Sequence, residues 1–474
     1  MGWYALLIIP VLFIIILYRT FRFVPKDYPE MKKLHPIDEE HAIESLSTMI
    51  TFKTVSSNEK EKELAEAFVS FRAYLRERYP HIMEKAAYEE IERGMLFTIL
   101  GESSEEPIVL MAHYDVVPAQ EGWKEDPFSG RVNETTVYGR GALDTKSSLS
   151  AIMESVEYLL KNGKIFKHNL YLAFSGDEEI YGPSTPAIMQ TLKARGVTPY
   201  LVLDEGGAIV EHMFPGVKEK TAVIGIAEKG FMNVTLTARS RGGHAATPFK
   251  ETAITELATA IRKLNNHPSF TLKMTPAVRA LFETIAPHSS SFAIKMIFAN
   301  LWIFMPLVKL IAKLSGGEFL SMFKTTQAFT LASGSEAINV LPSEAVIGIN
   351  CRLRPFDTGD MVIKRIQRII DNPNIDVRVT TLSEATPTSD LGDPFNLLKK
   401  AIHQTWPEVI VAPYLMVATT DSRHYHEISK HVYKFSPMDV SKDDLKKIHG
   451  HDEDISIDNV IHGVQFYINF LEAM

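Results

Sequence analysis

Three apolar stretches of this sequence end in residue types that can bind metal ions, and this recurrence constrains the fold more than any other feature. The stretch "PIVLMAH" ends at His113, "NLYLAFSGDEE" ends at Glu178 and Glu179, and "YLVLD" ends at Asp204. Short apolar runs of this kind indicate buried strands. In open α/β sheets, ligands bind in the crevice outside the carboxyl ends of the strands. We therefore expect parallel strands to direct imidazole and carboxylate groups into one crevice.

The rest of the chain predicts an α/β fold that contains a second domain. From residue 36 onward, apolar strand-like runs alternate with helical patterns such as "TKSSLSAIMESVEYLLKNG". Later the strand patterns "FMNVTLTARS" and "EAVIGINCRLRP" alternate with a period of two, which is typical of half-buried antiparallel strands. The sequence therefore predicts a catalytic domain in two parts, residues 36–228 and 356–474, around an inserted α+β domain at residues 229–355.

The N-terminal segment differs from the rest of the chain. The stretch "GWYALLIIPVLFIIILY", residues 2–18, carries no acidic or basic side chain and is followed by Arg19 and Arg22. It is short for a bilayer span, and it lacks the basic start and the small-residue cleavage site of a removable signal. We predict an uncleaved single-pass membrane anchor at residues 1–25; a cleaved signal and a buried helix are the alternatives. The basic flank predicts a cytoplasmic catalytic body by the positive-inside rule.

Composition removes two classes of function. The net charge is −8 and no block of basic residues is present, so binding to nucleic acid has no electrostatic support. The chain holds one cysteine, Cys351, which rules out an internal disulfide and any cysteine-rich metal site. A metal ion bound by this protein would therefore need histidine and carboxylate ligands.

The candidate metal-binding residues lie in short motifs, and each motif has a plain structural interpretation when it is taken alone. In the H-x-D motif, the carboxylate of Asp115 would orient the ring of His113. In "GRGALDTKSS", Asp144 would most simply cap the helix that follows. Acidic pairs at strand ends are commonly solvated loop residues. The order of the motifs, which ends with His449 in "KIHGHDEDIS", is more informative than any one of them.

The ordered motifs H-x-D, G-R-G-x-x-D, D-E-E, D-E-G and I-H-G resemble those of the dinuclear zinc amidohydrolases of peptidase family M20, which include acetylornithine deacetylase, carboxypeptidase G and aminoacylase. The stretches "MAHYDVVPA", "VYGRGALDTKSS" and "VLDEGG" are most similar to the branch of carboxypeptidase S and N-fatty-acyl-amino-acid synthase/hydrolase. The resemblance covers nearly everything from about residue 40 to the end. It implies a zinc-peptidase-like catalytic domain, with a mixed sheet flanked by helices, and an inserted α+β lid and dimerisation domain.

The same resemblance implies a site for two zinc ions and a general base. Glu178 binds no metal; it would take a proton from water and deliver it to the leaving nitrogen, while Asp115 supports His113. His451 and His462 are alternatives to His449, which the I-H-G motif favours. The implied ligands are His113, Asp144 and Asp204 for one ion and Asp144, Glu179 and His449 for the other, with Asp144 bridging.

The resemblance also assigns groups that contact the substrate. His244 in "RGGHAATP" corresponds to a histidine that assists the oxyanion and often comes from the partner subunit of a homodimer. Asn339 and Arg352 in "NVLPSEAVIGINCR" correspond to substrate contacts, and an arginine there would bind a carboxylate through two parallel hydrogen bonds. Arg354 is the alternative for that role. Arg423 in "TTDSRHY" lies in a loop that corresponds to part of the pocket wall.

These expectations describe a zinc-dependent hydrolase that cleaves the amide bond of small N-acyl amino acids with a free carboxylate, and that would also catalyse the reverse condensation. The alternatives are a carboxypeptidase or dipeptidase of short peptides and a metal-binding relative without catalysis. Glu178 argues against the last of these, because a binding protein has no need of a base. The resemblance favours a luminal or extracellular location, in contrast to the charges that flank the predicted anchor.

One further segment, "FAIKMIFANLWIFMPLVKLIAKL" from Phe292 to Leu314, has apolar residues on nearly every side of a helix. Such a segment must be buried, contact lipid or line an apolar pocket. Pro306 and three lysines make a second membrane span an unsuitable interpretation. Packing in a core or a dimer interface is one interpretation; the wall of a pocket for a long acyl chain is the other.

Overall fold

The structure is a computed structural model that describes residues 2–26, 30–267 and 270–474. Its strands are β1 Ala86–Ile91, β2 Gly94–Ile99, β3 Ser103–His113, β4 Thr136–Tyr138, β5 His168–Ser175, β6 Leu201–Asp204, β7 Ile209–Val210, β8 Thr221–Glu228, β9 Gly230–Arg239, β10 Gly243–His244, β11 Thr326–Ser333, β12 Val340–Leu341, β13 Glu344–Leu353, β14 Ile375–Ser383, β15 Ile410–Met416, β16 Val432–Lys434, β17 Asp439–Val440 and β18 Asp454–Ser456.

The α-helices are α1 Gly2–Arg22, α2 Glu39–Thr51, α3 Ala65–Arg78, α4 Pro80–Lys85, α5 Lys146–Lys161, α6 Ser184–Ala194, α7 Ala253–Asn266, α8 Pro276–Ile285, α9 Phe292–Ala299, α10 Leu301–Ser315, α11 Gly317–Ser321, α12 Gly359–Ile370, α13 Asp393–Thr405, α14 Asp444–Lys447 and α15 Ile457–Ala473. Short 3-10 helices span Lys60–Lys62, Glu178–Ile180, Ala286–His288 and Asp421–Glu427.

The described residues form a mixed sheet of ten strands, and its parallel centre positions the candidate ligands. Strand β3 pairs in parallel with β5 and β6, and β16 pairs in parallel with β6. His113 ends β3 opposite Ser175 of β5, and Asp204 ends β6. Strands β1 and β2 are antiparallel additions on one side, and β8 and β7 on the other. The predicted α/β fold, with a mixed sheet flanked by helices, is confirmed.

Both faces of this sheet are covered, which explains why its central strands carry continuous apolar runs such as Ile108 to Ala112 of β3. On β3, Ile108 and Leu110 point into the larger core together with helix α5. Val109 and Met111 point into the opposite core, where Ile188 of α6 packs. A parallel strand buried on both faces carries a continuous apolar run instead of an alternating pattern. The helices therefore fix the sheet from both sides and hold its carboxyl edge in place.

A second sheet forms the inserted α+β domain that the sequence predicts. Its strands lie in the order β11-β13-β9-β14, and every neighbouring pair is antiparallel. Leu236, Leu257, Ile349 and Ile366 belong to its own core, which α7 and α12 close. The sheet includes β14, which lies beyond the predicted boundary at residue 355 because it pairs with β9. We propose that the inserted domain ends near Ser383.

The helices between α7 and β11 pack with the main sheet, although Phe270 at the start of this segment packs against the core of the inserted domain. Phe282, Val308 and Phe323 are buried in the larger core, and α8 lies against β15. Helices α9 and α10 meet at a bend of 115° next to Asn300. The apolar segment predicted from Phe292 to Leu314 is thus a bent helix pair on the catalytic domain.

The N-terminal helix α1 docks on this bent pair. The Nε of Arg19 donates to the carbonyl of Ala299 at 3.1 Å, and the Nδ2 of Asn300 donates to the carbonyl of Ile16 at 3.2 Å. The ring of Phe21 lies 5.8 Å from the ring of Phe292. Met1, the first residue of the predicted anchor, lies outside the described residues.

The predicted single-pass membrane anchor at residues 1–25 is wrong. In the part of the chain that the structure describes, no single helix combines the length and the apolar character needed to cross a membrane. Only α9 and α10 taken together meet that test, by length and composition, and they are sharply bent. The membrane location and membrane partner that the sequence suggested are withdrawn with the anchor.

The packing of the central sheet gives a stability prediction. Leu172 of β5 is fully buried in the larger core, whereas Leu100 is 72% exposed. We expect Leu172→Ala to lower the free energy of unfolding by about 2–5 kcal/mol, because it leaves a cavity in a close-packed region. Leu100→Ala is the matched control and should change it by less than ~0.5 kcal/mol. Chemical denaturation measures both; equal effects would contradict the assigned core.

Candidate metal centre

Asp144 lies between two histidines at the carboxyl edge of the main sheet. Its Oδ1 lies 3.1 Å from the Nε2 of His113, and its Oδ2 lies 3.0 Å from the Nε2 of His449. The Oε1 of Glu179 is 3.3 Å from the same His449 nitrogen. His113, Asp144 and Glu179 each offer a ligand atom, and these atoms lie within 4.8 Å of one another. One carboxylate that faces two imidazoles with its two oxygens has the arrangement of a bridging ligand.

A buried carboxylate shapes the turn that carries Asp144. Glu453 is fully buried, and its two oxygens accept hydrogen bonds from the Nη1 of Arg140 at 2.7 Å and from the amides of Leu143 and Asp144 at 2.7 and 3.1 Å. The amide of Gly141 is a further donor at 3.2 Å. Gly141 has φ +90°, a conformation that a side chain would strain. The turn before α5 is therefore fixed from the C-terminal part of the chain.

Asp115 organises both the first histidine and the acidic pair. The Nδ1 of His113 donates to the main-chain carbonyl of Asp115 at 2.9 Å, and its Nε2 faces Asp144. The Asp115 carboxylate accepts the amides of Glu178 and Glu179, both at 3.1 Å, and the Ser56 hydroxyl at 2.7 Å. The sequence predicted that this carboxylate supports His113; in the structure its Oδ1 lies 3.5 Å from the Nδ1 of His113, farther than its contacts with Ser56 and with the turn that carries the acids.

The D-E-G motif contributes its glutamate to the cluster. The Oε1 of Glu205 lies 3.4 Å from the Nε2 of His113. The carboxylate of Asp204, the residue that the sequence predicted as a ligand, accepts instead the amides of Glu205 and Ser422, both at 2.9 Å. Asp204 therefore anchors the loop, and its neighbour faces the first histidine. The sequence contained this signal, since the two acids are adjacent, but spacing could not distinguish them.

The electrostatics of the cluster indicate that cations belong in it. Burial raises the pKa of Glu178 well above its usual range, and the nearby carboxylates of Asp421, Glu205 and Glu179 add to that effect. Burial and the charge of Asp144 raise the pKa of Glu205 to about 7, against the opposing effect of His113. So many acids in one buried place repel one another. Divalent ions with imidazole and carboxylate ligands would relieve that repulsion, so the donor set fits a metal centre.

Of the three late histidines, the structure brings one to the cluster. His449 contacts Asp144 and Glu179, as described above. The Nε2 of His451 lies 2.9 Å from the carbonyl of Glu121, and the ring of His462 packs at 5.5 Å from that of Trp406. These two predicted alternatives are therefore engaged elsewhere.

The two arginines of the predicted substrate site have different surroundings. Arg354 is buried, and its Nε and Nη2 donate to the carboxylate of Asp357 at 3.1 and 2.7 Å. The guanidinium of Arg352 lies 5.9 Å from the ring centre of Phe231. Arg354 thus has a carboxylate partner within its own chain, whereas Arg352 lies over an aromatic face.

An aromatic pair joins the catalytic domain to the inserted domain beside the acids. The ring of Tyr181, two residues after Glu179, lies 5.2 Å from that of Phe231, the second residue of β9. The guanidinium of Arg423 lies 5.4 Å from the Tyr181 ring, on the catalytic side. Arg423 and Arg352 therefore flank one aromatic pair. The sequence gave no signal for this pair, because its members belong to different domains.

His244 and Asn339 lie together but away from the cluster within this chain. Strands β10 and β12 pair, and the amide of Ala245 donates to the carbonyl of Asn339 at 3.0 Å. The Nδ1 of His244 accepts the amide of Ala246, and the side chain is exposed. Among the contacts of the described residues, neither side chain touches the cluster around Asp144.

Comparison with known sequences gives matches over most of the chain. A profile described as "Peptidase family M20/M25/M40" matches residues 109–473. The chain is 33% identical to "Probable carboxypeptidase S-like 2" from Dictyostelium discoideum, over 98% of this chain and 92% of that protein. It is also 33% identical to "N-fatty-acyl-amino acid synthase/hydrolase PM20D1" from Mus musculus, over 90% of this chain and 87% of that protein.

Solved structures share the fold at low sequence identity. The M20 family metallo-carboxypeptidase Sso-CP2 from Sulfolobus solfataricus has a TM-score of 0.65 and 16% identity, over 91% of this chain and 98% of that one. The YXEP protein of Bacillus subtilis, described as a dinuclear metal binding peptidase from the M20 family, has a TM-score of 0.56 and 12% identity, over 92% and 98%. This likeness concerns the fold.

The position of Asp144 predicts its effect on metal content. We expect Asp144→Ala to lose metal at both positions, because this carboxylate is the one that faces both histidines. Elemental analysis of the purified protein measures the bound equivalents directly. Retention of one equivalent at full occupancy would contradict a bridging role.

The D-E-G motif offers a matched pair of substitutions. We expect Glu205→Gln to weaken metal binding on the His113 side, because an amide is a poorer ligand than a carboxylate. Asp204→Asn should retain metal, since Asp204 holds backbone amides. Metal titration with a competing chelator compares the two proteins. The opposite order of affinities would return the ligand role to Asp204.

Proposed function

The chain belongs to peptidase family M20/M25/M40 and is a metal-dependent hydrolase, and from this premise we propose that it cleaves the amide bond of N-acyl amino acids that carry a free carboxylate. The proposal rests on the position of Glu178, the candidate base, beside the candidate metal ligands around Asp144. Arg352 and Arg423 lie on the adjoining aromatic pair of Phe231 and Tyr181. The name of the mouse relative supports this substrate class for the present chain.

The proposed site takes two zinc ions. His113, Asp144 and Glu205 would hold one and Asp144, Glu179 and His449 the other; Glu205 replaces the predicted Asp204 on the geometry given above. The description of the B. subtilis neighbour as a dinuclear metal binding peptidase supports two ions. When bound, such ions lower the pKa of water and polarise a carbonyl group.

Glu178 would move the proton in this reaction. It would accept a proton from the attacking water and deliver it to the amide nitrogen as the carbon–nitrogen bond breaks, so the products are a free carboxylate and a free amine. The Asp115 carboxylate holds the Glu178 amide, and this fixes the base relative to the ligands. Burial raises the pKa of Glu178, which makes its carboxylate a stronger proton acceptor.

Arg352 and Arg423 would bind the α-carboxylate of the substrate. Both guanidinium groups lie over aromatic faces, where they keep donors available for a bidentate carboxylate contact. Because Arg354 is paired with Asp357, it is a weaker candidate. The reacting amide would then lie between these two arginines, which we call the carboxylate clamp because they would bind the substrate's carboxylate, and Glu178.

We further propose that the active enzyme is a homodimer. His244 and Asn339 are exposed and lie beside an exposed apolar stretch that includes Ile338 and Val340. Apolar surface of this kind commonly marks an interface. A second copy would cover it and bring His244 to the partner's site, where it would assist the oxyanion.

A carboxypeptidase of short peptides is the second candidate function, and the name of the D. discoideum relative favours it. A panel of acetyl, decanoyl and palmitoyl amino acids and of dipeptides, tested on the zinc-loaded protein, distinguishes the two. We expect kcat/KM to rise with acyl length by up to ~4-fold per methylene, since each buried methylene contributes up to ~0.8 kcal/mol. A flat series with dipeptides cleaved best would favour the peptidase.

Substitution of the base tests the division of roles between the two glutamates. Glu178→Gln should lower kcat by ~10²-fold or more while both metal equivalents remain, because it removes a proton carrier and no ligand. Glu179→Gln is the matched control and should lose metal. Near-normal turnover in Glu178→Gln, or loss of its metal, would contradict the assignment.

Substitution of the carboxylate clamp tests substrate recognition. Arg352→Ala should raise KM and cost about 2–4 kcal/mol in kcat/KM for substrates with a free α-carboxylate, because a charged hydrogen-bond partner is lost. Amidated analogues of the same substrates should be turned over equally by both proteins. A loss of the same size for both kinds of substrate would assign Arg352 a structural role.

A further inference from the structure

The bent helix pair encloses an apolar cavity of about 380 Å³ on the catalytic domain. Helices α8, α9, α10 and α11 and the segment after β7 form its walls. Phe214, Phe282 and Phe298 line it with Val308, Ile311 and Met322, and Ser315 is the polar side chain among the described lining residues. Protein interiors are close-packed, and voids larger than a water molecule are few. A cavity of this size lies within the range of small-molecule sites.

The walls of the cavity are held in place by specific side-chain contacts. Three rings meet there: Phe282 and Phe298 lie 4.8 Å apart, and Phe214 lies 5.2 Å from Phe298. The wall formed by α9 is braced from outside by α1, because Asn300 donates to Ile16 and Arg19 donates to Ala299. The N-terminal helix therefore stabilises the bend that creates the cavity.

The surface beside the mouth favours a linear apolar ligand. Ile311 lines the cavity and is 40% exposed, so it marks the opening. On the same helix Leu307, Leu310 and Leu314 are exposed at helical spacing and form a strip about 10 Å long, at 1.5 Å per residue. The strip and the cavity together fit an extended chain better than a compact ring.

The charges on the bent helix pair favour an anionic headgroup. Helices α9 and α10 contain Lys295, Lys309 and Lys313 and no acidic residue. An ammonium group at the edge of an apolar site attracts a carboxylate, while the apolar stem of lysine covers the chain.

We propose that this cavity binds the alkyl chain of a long-chain carboxylate. The chain would come either from a free fatty acid or from the acyl group of a substrate, because both have the same tail. The site goes beyond the proposed function, since tail binding requires neither the metal ions nor Glu178. It assigns a role to the bent helix pair, which the catalytic machinery does not use.

Direct binding measurements on the full-length, metal-loaded protein test this proposal. Isothermal titration with octanoate, laurate and palmitate below their micelle concentrations should show affinity that rises by up to ~4-fold per methylene until the cavity is filled. Ile311→Trp, at the mouth, should lower palmitate affinity by roughly tenfold or more, because the indole occupies the space of about two methylenes or more. Ser315→Trp, at an exposed lining position, provides a second closure of the mouth if Ile311→Trp fails to fold.

Ile165→Trp is the matched control. Ile165 is 69% exposed and does not line the cavity, so the same substitution there should leave palmitate affinity unchanged. Palmitate binding that is equal in the wild-type and mouth variants, or absent from the wild-type protein, would overturn the proposal.

Turnover of acetyl and palmitoyl amino acids by the same variants identifies the source of the tail. If Ile311→Trp lowers kcat/KM for the palmitoyl substrate alone, the cavity holds the substrate's own acyl chain. If both substrates are unaffected while palmitate binding is lost, the ligand is a free fatty acid. Both results support the site. If the wild-type protein hydrolyses neither substrate, the proposed function fails, and the binding measurements still decide whether the cavity holds a chain.

Discussion

The buried carboxylate of Glu453 makes the hydrogen bonds on which the candidate metal centre depends. It joins the turn of Asp144 to a segment 309 residues later in the chain. A carboxylate with no exposure to solvent is costly unless donors surround it, and here the Arg140 guanidinium and three backbone amides do so. Because His449 lies four residues before Glu453, the contact that shapes the turn also brings the second histidine to Asp144.

Asp115 has the equivalent function on the N-terminal side of the site. It follows β3 and receives the amides of Glu178 and Glu179, which follow β5, so two neighbouring parallel strands are tied at their ends. Asp115 and Glu453 therefore hold the candidate site residues through hydrogen bonds to their backbone amides. This outer layer keeps several carboxylates close together in spite of their repulsion, an arrangement that suits divalent cations.

The sequence was sufficient for the features that depend on local pattern and order. Apolar runs that end in His113 and in the acidic pair predicted the parallel sheet and its ligand edge, and period-two strands predicted the inserted domain. Three features could not be predicted, because they depend on three-dimensional contacts. Helical periodicity did not reveal that α8 to α11 join the main core. The adjacent acids did not show that Glu205, and not Asp204, faces His113. The apolar N-terminal segment was mistaken for a membrane span, although α1 packs on α9.

The two chain crossings between the catalytic domain and the inserted domain are tied together by hydrogen bonds. The chain leaves the main sheet after Glu228, which is fully buried and lies 3.2 Å from the Nζ of Lys434. The Glu228 amide donates to the hydroxyl of Thr386, where the chain returns from the inserted domain, and its carboxylate accepts the hydroxyl of Thr420 at 2.9 Å. Thr420 directly precedes the 3-10 helix that carries Arg423. One buried glutamate thus ties both crossings between the domains to the loop whose Ser422 amide donates to Asp204.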